Sequence, residues 1–330
     1  MNKTTHLKGA FLSINNFKAK YIIMIALVFL LSVFFIFFQS NMDFDYVIPR
    51  RLLRLATIVL AGICVAFSAI IFQTLVGNRI LTPAVMGYEA IYLLWQVLLL
   101  FVFGTQALLW LGLNGNFFLS VFLMLLYSWA VQHWLLRHAK QDVFQLLLCG
   151  LVLTMLFTTL TQFIQLKISP GEFSIFQGLS YASFNRSQPE TLLYASVAVV
   201  ALGYWGRKSL PLLDVLVLGR EQASTLGLDH QHLVKVYFAV IAVLVAISTS
   251  LIGPTAFMGV FIANIAYALA GSYQHRCTLT MGSIVAIAVF LIAQLLVEHI
   301  FNYKTTVSIL INLICGVYFL LLTVRLRGVT

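Results

Sequence analysis

Apolar runs of roughly 17 to 25 residues succeed one another along most of the chain, and each is long enough to cross a ~30 Å hydrocarbon layer as a helix. Inside lipid every backbone N–H and C=O needs a partner within the protein, so runs of this length read as spanning helices. Composition points the same way. Of the 330 residues, 61% are hydrophobic and 9% charged, too few polar side chains to solvate the surface of a soluble domain. The sequence therefore predicts an all-α polytopic membrane protein, one transmembrane domain over residues 1–330. Its first run, about 21–38, follows a basic leader (Lys3, Lys8, Lys18, Lys20) but ends in Gln39, Ser40 and Asn41. Without a small-x-small cleavage site it reads as a retained span.

Spans are predicted at about 21–38, 52–72, 86–103, 117–136, 143–166, 190–206, 235–252, 255–271, 279–298 and 306–324, ten transmembrane helices in all. Gly253 and Pro254 split a stretch that otherwise reads as one long helix, so the eighth span is the hardest to place. With both termini cytoplasmic, fourteen of the 20 Lys and Arg fall inside; the six outside are Arg50, Arg51, Arg54, Lys167, Arg186 and Lys304. That excess fits the positive-inside bias. Two connections are long enough to fold on their own. Residues 167–189 face outward and carry a short amphipathic run at about 173–184, read as a surface or re-entrant helix. Residues 207–234 face inward and form the most polar internal segment.

The net charge of +10 is spread between the apolar runs rather than gathered on one face, so it reads as topology and no nucleic-acid partner is expected. Cys64, Cys149, Cys277 and Cys315 stand singly and read as small hydrophobes. No metal site is expected. His230 and His232 belong to the polar loop, and Glu89, near the inner end of the third span, lacks neighbours for a cage. Structural pairing, cytoplasmic exposure and a proton site stay open for Glu89. There is no G-x-x-x-x-G-K-[ST] loop, and no Gly-Lys pair at all, so the chain does not cradle nucleotide phosphates in the usual way. If ATP is used, a partner ATPase holds it with its Mg, and this chain binds no cofactor and does no covalent chemistry.

The inner loop carries Leu218-Gly219-Arg220-Glu221-Gln222-Ala223-Ser224-Thr225-Leu226-Gly227-Leu228. It resembles the L-G-x-x-x-A-x-x-L-G coupling motif of the FecCD/BtuC-type permeases, the family that imports iron–siderophore complexes, haem and cobalamin. Further blocks follow the family's order: Arg51-Leu-Leu-Arg54, residues 78–87 (NRILTPAVMG), and Gly253-Pro254-Thr-Ala-Phe257-Met-Gly259. The resemblance covers about residue 50 to the C-terminus. Departures are Ala263-Asn264-Ile265 where Pro-His-Ile is common, Val307 where a Pro precedes the last span, and Glu89 in place of a small polar residue. Glu89 and the phrase around 176–185 resemble the branch handling catecholate or mixed-chelate siderophores.

The resemblance implies a type II ABC importer permease in a bacterial cytoplasmic (inner) membrane. It would pair with a second permease subunit, as homo- or heterodimer, above two ATPase subunits, and receive a ferric siderophore from an extracytoplasmic substrate-binding protein. Leu218, Gly219, Ala223, Leu226 and Gly227 would form the ATPase coupling surface, with Ala223 leaving room for the partner; an ordinary polar connector is the other reading. Arg51, Arg54 and Lys304 would dock the binding protein, unless Asp43 and Asp45 or lipid phosphate neutralise the arginines. Thr154, Thr158, Thr161 and Gln165 form one polar stripe on the fifth span, and Ser308 and Asn312 a shorter one on the last. These stripes either line the pathway or join helices. An ion-coupled secondary transporter, or an intramembrane enzyme, is the alternative: the first would need a buried ion site, the second paired carboxylates or a Ser-His set, and neither is evident within the spans.

Overall fold

The computed structural model describes residues 3–39, 44–138, 143–255, 257–272 and 274–327. In chain order its helices are α1 (Lys3–Phe37), α2 (Val47–Val76), α3 (Tyr88–Phe103), α4 (Ala107–His138), α5 (Val143–Gln165), α6 (Pro170–Ser180), α7 (Pro189–Gly206), α8 (Leu210–Leu216), α9 (Arg220–Thr225), α10 (His230–Ile252), α11 (Met258–Ala270), α12 (His275–Leu295) and α13 (Val307–Arg327). A 3-10 turn, Pro83–Met86, precedes α3, and a π turn, Leu296–Ile300, continues α12. No strand occurs among the described residues.

Each predicted run lies on a helix, and among the described residues seven helices are long and apolar enough to cross a membrane: those at Ala19–Phe37, Val47–Val76, Tyr88–Gln106, Trp110–His133, Phe144–Gln165, His230–Ile252 and His275–Ile300. Helix α7 and the 13-residue α11 fall short, and in the 21-residue α13 the described apolar stretch is Val307–Tyr318. The eighth predicted span is the clearest case. Helix α11 has 13 residues, a length of about 20 Å at 1.5 Å per residue. It is separated from α10 at Gly253, whose φ of +103° and a Cβ site 2.9 Å from the Tyr181 carbonyl oxygen admit only glycine. Ala263-Asn264-Ile265 continues α11 unbroken, with Asn264 donating to the Val260 carbonyl.

Helix α2 is the axis of the bundle, packed by α10, α11 and α12, with Ile58, Ala61, Cys64, Ala66, Ile70 and Phe72 buried along it. Hydrocarbon tails are as apolar as leucine, so helices in lipid associate through close fit, which small residues allow. On α12, a Cβ added to Gly282 would stand 2.6 Å from Ile70; on α11, one added to Gly259 would stand 2.9 Å from Ala69. Both helices therefore approach α2 more closely than a side chain permits. Of the four free cysteines, Cys64 and Cys315 are buried as expected of small hydrophobes, whereas Cys149 and Cys277 are only partly covered.

The bundle has two ends. At one, the N-terminus of α2 meets the C-termini of α1 and α12, and α6 lies nearby, capped by a box in which Ser169 and Glu172 exchange hydrogen bonds. Helix α6 covers 170–180 rather than 173–184; Pro170 starts it and Phe176 is its buried anchor. At the other end, α8 and α9 sit beside the C-terminus of α2 and the N-termini of α10 and α12.

Candidate functional site

Glycines set the shape of the α8–α9 segment. Gly219 (φ +95°, ψ 172°) turns the chain between the helices, in a region closed to side chains. Gly227 (φ +78°) ends α9: its N–H reaches the Ser224 carbonyl and the Leu228 N–H reaches that of Ala223, both bonds of a Schellman turn. Asp229 then caps α10 through the N–H groups of Gln231 and His232. Leu218 and Leu226 are left 55% and 62% exposed, apolar side chains held outward by ordered backbone. Ala223 corrects an expectation. It is fully buried and belongs to the core that includes Leu213, Leu216 and Phe238, so its small size lets α9 settle on its own bundle instead of making room for a partner.

Beneath this surface lies an array that sequence reading missed. Asp214 on α8 accepts from the His275 N–H at 2.8 Å and meets His275 Nδ1 at 2.6 Å; His275 Nε2 meets the Thr74 hydroxyl at 2.8 Å. A carboxylate only accepts, so Nδ1 carries a proton. Thr74 also reaches the Ile70 carbonyl at 2.9 Å, a helix back-bond that marks it as a structural partner. The three residues lie 61 and 201 positions apart, beyond any periodicity.

At the opposite end Arg51 is buried. One guanidinium nitrogen donates to the carbonyls of Phe35, Ile36 and Phe38 at 2.9, 3.2 and 2.5 Å, closing the C-terminus of α1. The other donates to Glu298 at 3.2 Å. Arg54, a quarter exposed, lies 3.7 Å from Glu298 and donates to the Tyr303 hydroxyl at 3.3 Å. Glu298, on the π turn 247 residues from Arg51, is thus an acid that neutralises both arginines; of the acids expected just upstream, Asp43 lies outside the described residues. Burial, then the Glu298 charge, pushes the Tyr303 hydroxyl pKa up, with Arg54 opposing. Lys304 is exposed, beside Asn302 and Tyr303, which hold left-handed backbone at φ +45° and +59°.

The polar stripe of α5 divides. Thr154 hydrogen-bonds the Val85 carbonyl at 3.1 Å and Thr161 is 4% exposed, so these two face the bundle. Gln165 is half-buried and Thr158 exposed, on the same side as exposed Leu151 and Met155. On α13, buried Ser308 accepts from the Ala182 N–H at 2.7 Å, which anchors the segment after α6, whereas Asn312 is exposed. Arg186 braces the same segment, donating to the carbonyls of Gly178, Leu179 and Tyr181, and burial lowers its pKa.

Glu89, at the start of α3, accepts from the N–H and hydroxyl of Thr255 at 2.8 and 3.1 Å. It joins the irregular chain before α3 to the irregular chain before α11. Ser68, Thr82 and Ser248 line the small cavity alongside. Of the readings left open, structural pairing is the one this geometry carries. Among the described residues no group of three His, Cys, Asp or Glu is arranged to hold a metal ion.

The model of the FecCD transport family matches residues 10–325. The petrobactin import system permease protein YclO of Bacillus subtilis (strain 168) is 36% identical over 291 residues, covering 88% of this chain and 92% of that protein. FatC, the petrobactin import system permease protein of Bacillus anthracis, is 29% identical over 288 residues, 87% of this chain and 81% of its own. A solved metal-chelate type ABC transporter, inward-facing, superimposes with a TM-score of 0.82 at 19% identity over 94% of this chain and 99% of that one, which shows a shared fold.

Proposed function

The chain belongs to the FecCD transport family, and from that premise we propose that it is the permease subunit of an ATP-driven importer of ferric siderophore complexes in a bacterial inner membrane. The likeness to petrobactin import permeases along nine-tenths of the chain carries this reading. In it, the α8–α9 end and both termini are cytoplasmic, and an ATPase subunit holding ATP and Mg seats on Leu218 and Leu226. A second permease subunit packs against α5 and α13, where Thr158 and Asn312 face the path between the two chains. A binding protein docks outside on Arg54 and Lys304. Arg51, with its donors already committed to α1 and Glu298, shapes that surface from below. Alternating access follows when ATP binding shifts the population of permease conformations.

In proteoliposomes holding this chain and its ATPase, uptake of labelled ferric siderophore is expected to require both ATP and the binding protein; uptake driven by an ion gradient without the ATPase would reject the reading. Exposed Ser224 gives a second expectation. Ser224→Cys should crosslink to the ATPase through a short bifunctional reagent, and labelling of that cysteine from outside intact cells would invert the topology.

A further inference from the structure

We propose that Asp214 and His275 are positioning residues that fasten helix α8 to α2 and α12, so that displacement of α8–α9 by the ATPase moves the α2–α12 pair as one body. The proposal rests on the reading of α8–α9 as the ATPase contact. Apolar packing alone lets one helix slide over another. A hydrogen-bonded imidazole does not, because its two nitrogens fix both distance and direction. Here the ring of His275, on α12, is 5% exposed and bridges α8 at Nδ1 to α2 at Nε2, while the His275 N–H doubles the bond to Asp214. Helix α8 has a further tether where the Tyr237 hydroxyl of α10 donates to the Ser209 carbonyl at 2.6 Å, and α9 is seated through buried Ala223.

What α8 is fastened to matters as much. Helices α2 and α12 are already locked along their length by the contact of Gly282 with Ile70 and of Gly62 with Ile287. They are pinned again at the far end, where Arg51 and Arg54 of α2 share the Glu298 carboxylate that follows α12. From Thr74 to Arg51 is 23 residues of continuous helix, about 35 Å at 1.5 Å per residue. The pair is therefore a rod with a polar clamp at each end, one below the ATPase surface and one below the docking surface. Coupling between distant sites needs such a contiguous element, together with proof that disturbing it changes the coupling.

The test uses the whole transporter in proteoliposomes and reads siderophore uptake, ATP hydrolysis and co-purification of the ATPase for Asp214→Ala, Thr74→Val and Thr74→Ser. Asp214→Ala and Thr74→Val are expected to retain the ATPase at wild-type stoichiometry and keep hydrolysing ATP, while uptake per ATP falls at least tenfold; Thr74→Ser, which restores the hydroxyl, is expected to recover it. Unchanged uptake per ATP in both disrupting variants would overturn the proposal. Loss of the ATPase from either one would overturn it too, since the array would then only shape the docking surface. Failure of the wild-type chain to hold an ATPase would instead sink the reading of α8–α9, and this proposal with it. Should Asp214→Ala not fold, the Thr74→Val and Thr74→Ser pair, a change of one hydroxyl, decides alone.

Discussion

Glu298→Leu is expected to destabilise the folded protein by about 3–5 kcal/mol, the range for breaking a buried ion pair from one side. The carboxylate is 12% exposed and stands between two guanidinium groups, so its removal leaves the Arg51 charge in place without its counter-ion. Arg51 cannot swing out to water cheaply, because its other nitrogen holds three carbonyls at the end of α1. Glu298→Gln keeps an acceptor for Arg51 and should cost less. Arg50→Leu is the contrasting case: that guanidinium lies 4.0 Å over the exposed Tyr46 ring, a cation–π contact worth about 0.5–1 kcal/mol at a surface. Detergent-titrated unfolding in mixed micelles measures all three. If Glu298→Leu costs no more than Arg50→Leu, the cluster is not a clamp and the rod proposed for α2 and α12 loses its outer pin.

Much of this was legible in the sequence because lipid imposes few rules. Helix positions followed from apolar length, and the break at Gly253-Pro254 from the chemistry of those two residues. Gly219 and Gly227 of the α8–α9 segment stand where the chain turns because positive φ is a local requirement that glycine meets. Length was less reliable for α11: an apolar run of about spanning length contains a helix of 13 residues, since Pro254 and the irregular chain around it consume the rest. The orientation of Ala223 and the fate of Arg51 were not legible. Each depends on which distant element arrives beside it, Phe238 and Leu213 in one case and Glu298 in the other. A helical stripe likewise gives a direction and not a neighbour. Thr154, Thr158 and Thr161 share a face within about 60° by 3.6-residue periodicity, yet the boundary between bundle and exterior runs through that face.

Glu89→Leu is the second large effect expected, about 2–5 kcal/mol, and it arises where the chain leaves helical geometry inside an otherwise helical bundle. The chain leaves helical geometry at 77–82 before α3 and at 253–255 before α11, and in a membrane each backbone group left unsatisfied there costs several kcal/mol. Glu89 meets that need for Thr255, taking both its N–H and its hydroxyl on one carboxylate oxygen. Leucine fills similar space and strips both donors of their acceptor, at about 1–3 kcal/mol apiece. Glutamine keeps the acceptor and removes the charge, so Glu89→Gln should lose only about 1 kcal/mol, the difference between a charged and a neutral hydrogen bond. Thr255→Val should fall between them, because it removes the hydroxyl and leaves the N–H bonded. That ordering, leucine worst, valine at Thr255 next and glutamine least, is specific to a carboxylate acting as a staple. A proton-carrying role would reverse part of it: glutamine, which cannot exchange a proton, would then abolish uptake while leaving stability near that of the native chain. Measuring unfolding and uptake on the same three variants separates the two, and native stability in Glu89→Leu would remove the staple altogether.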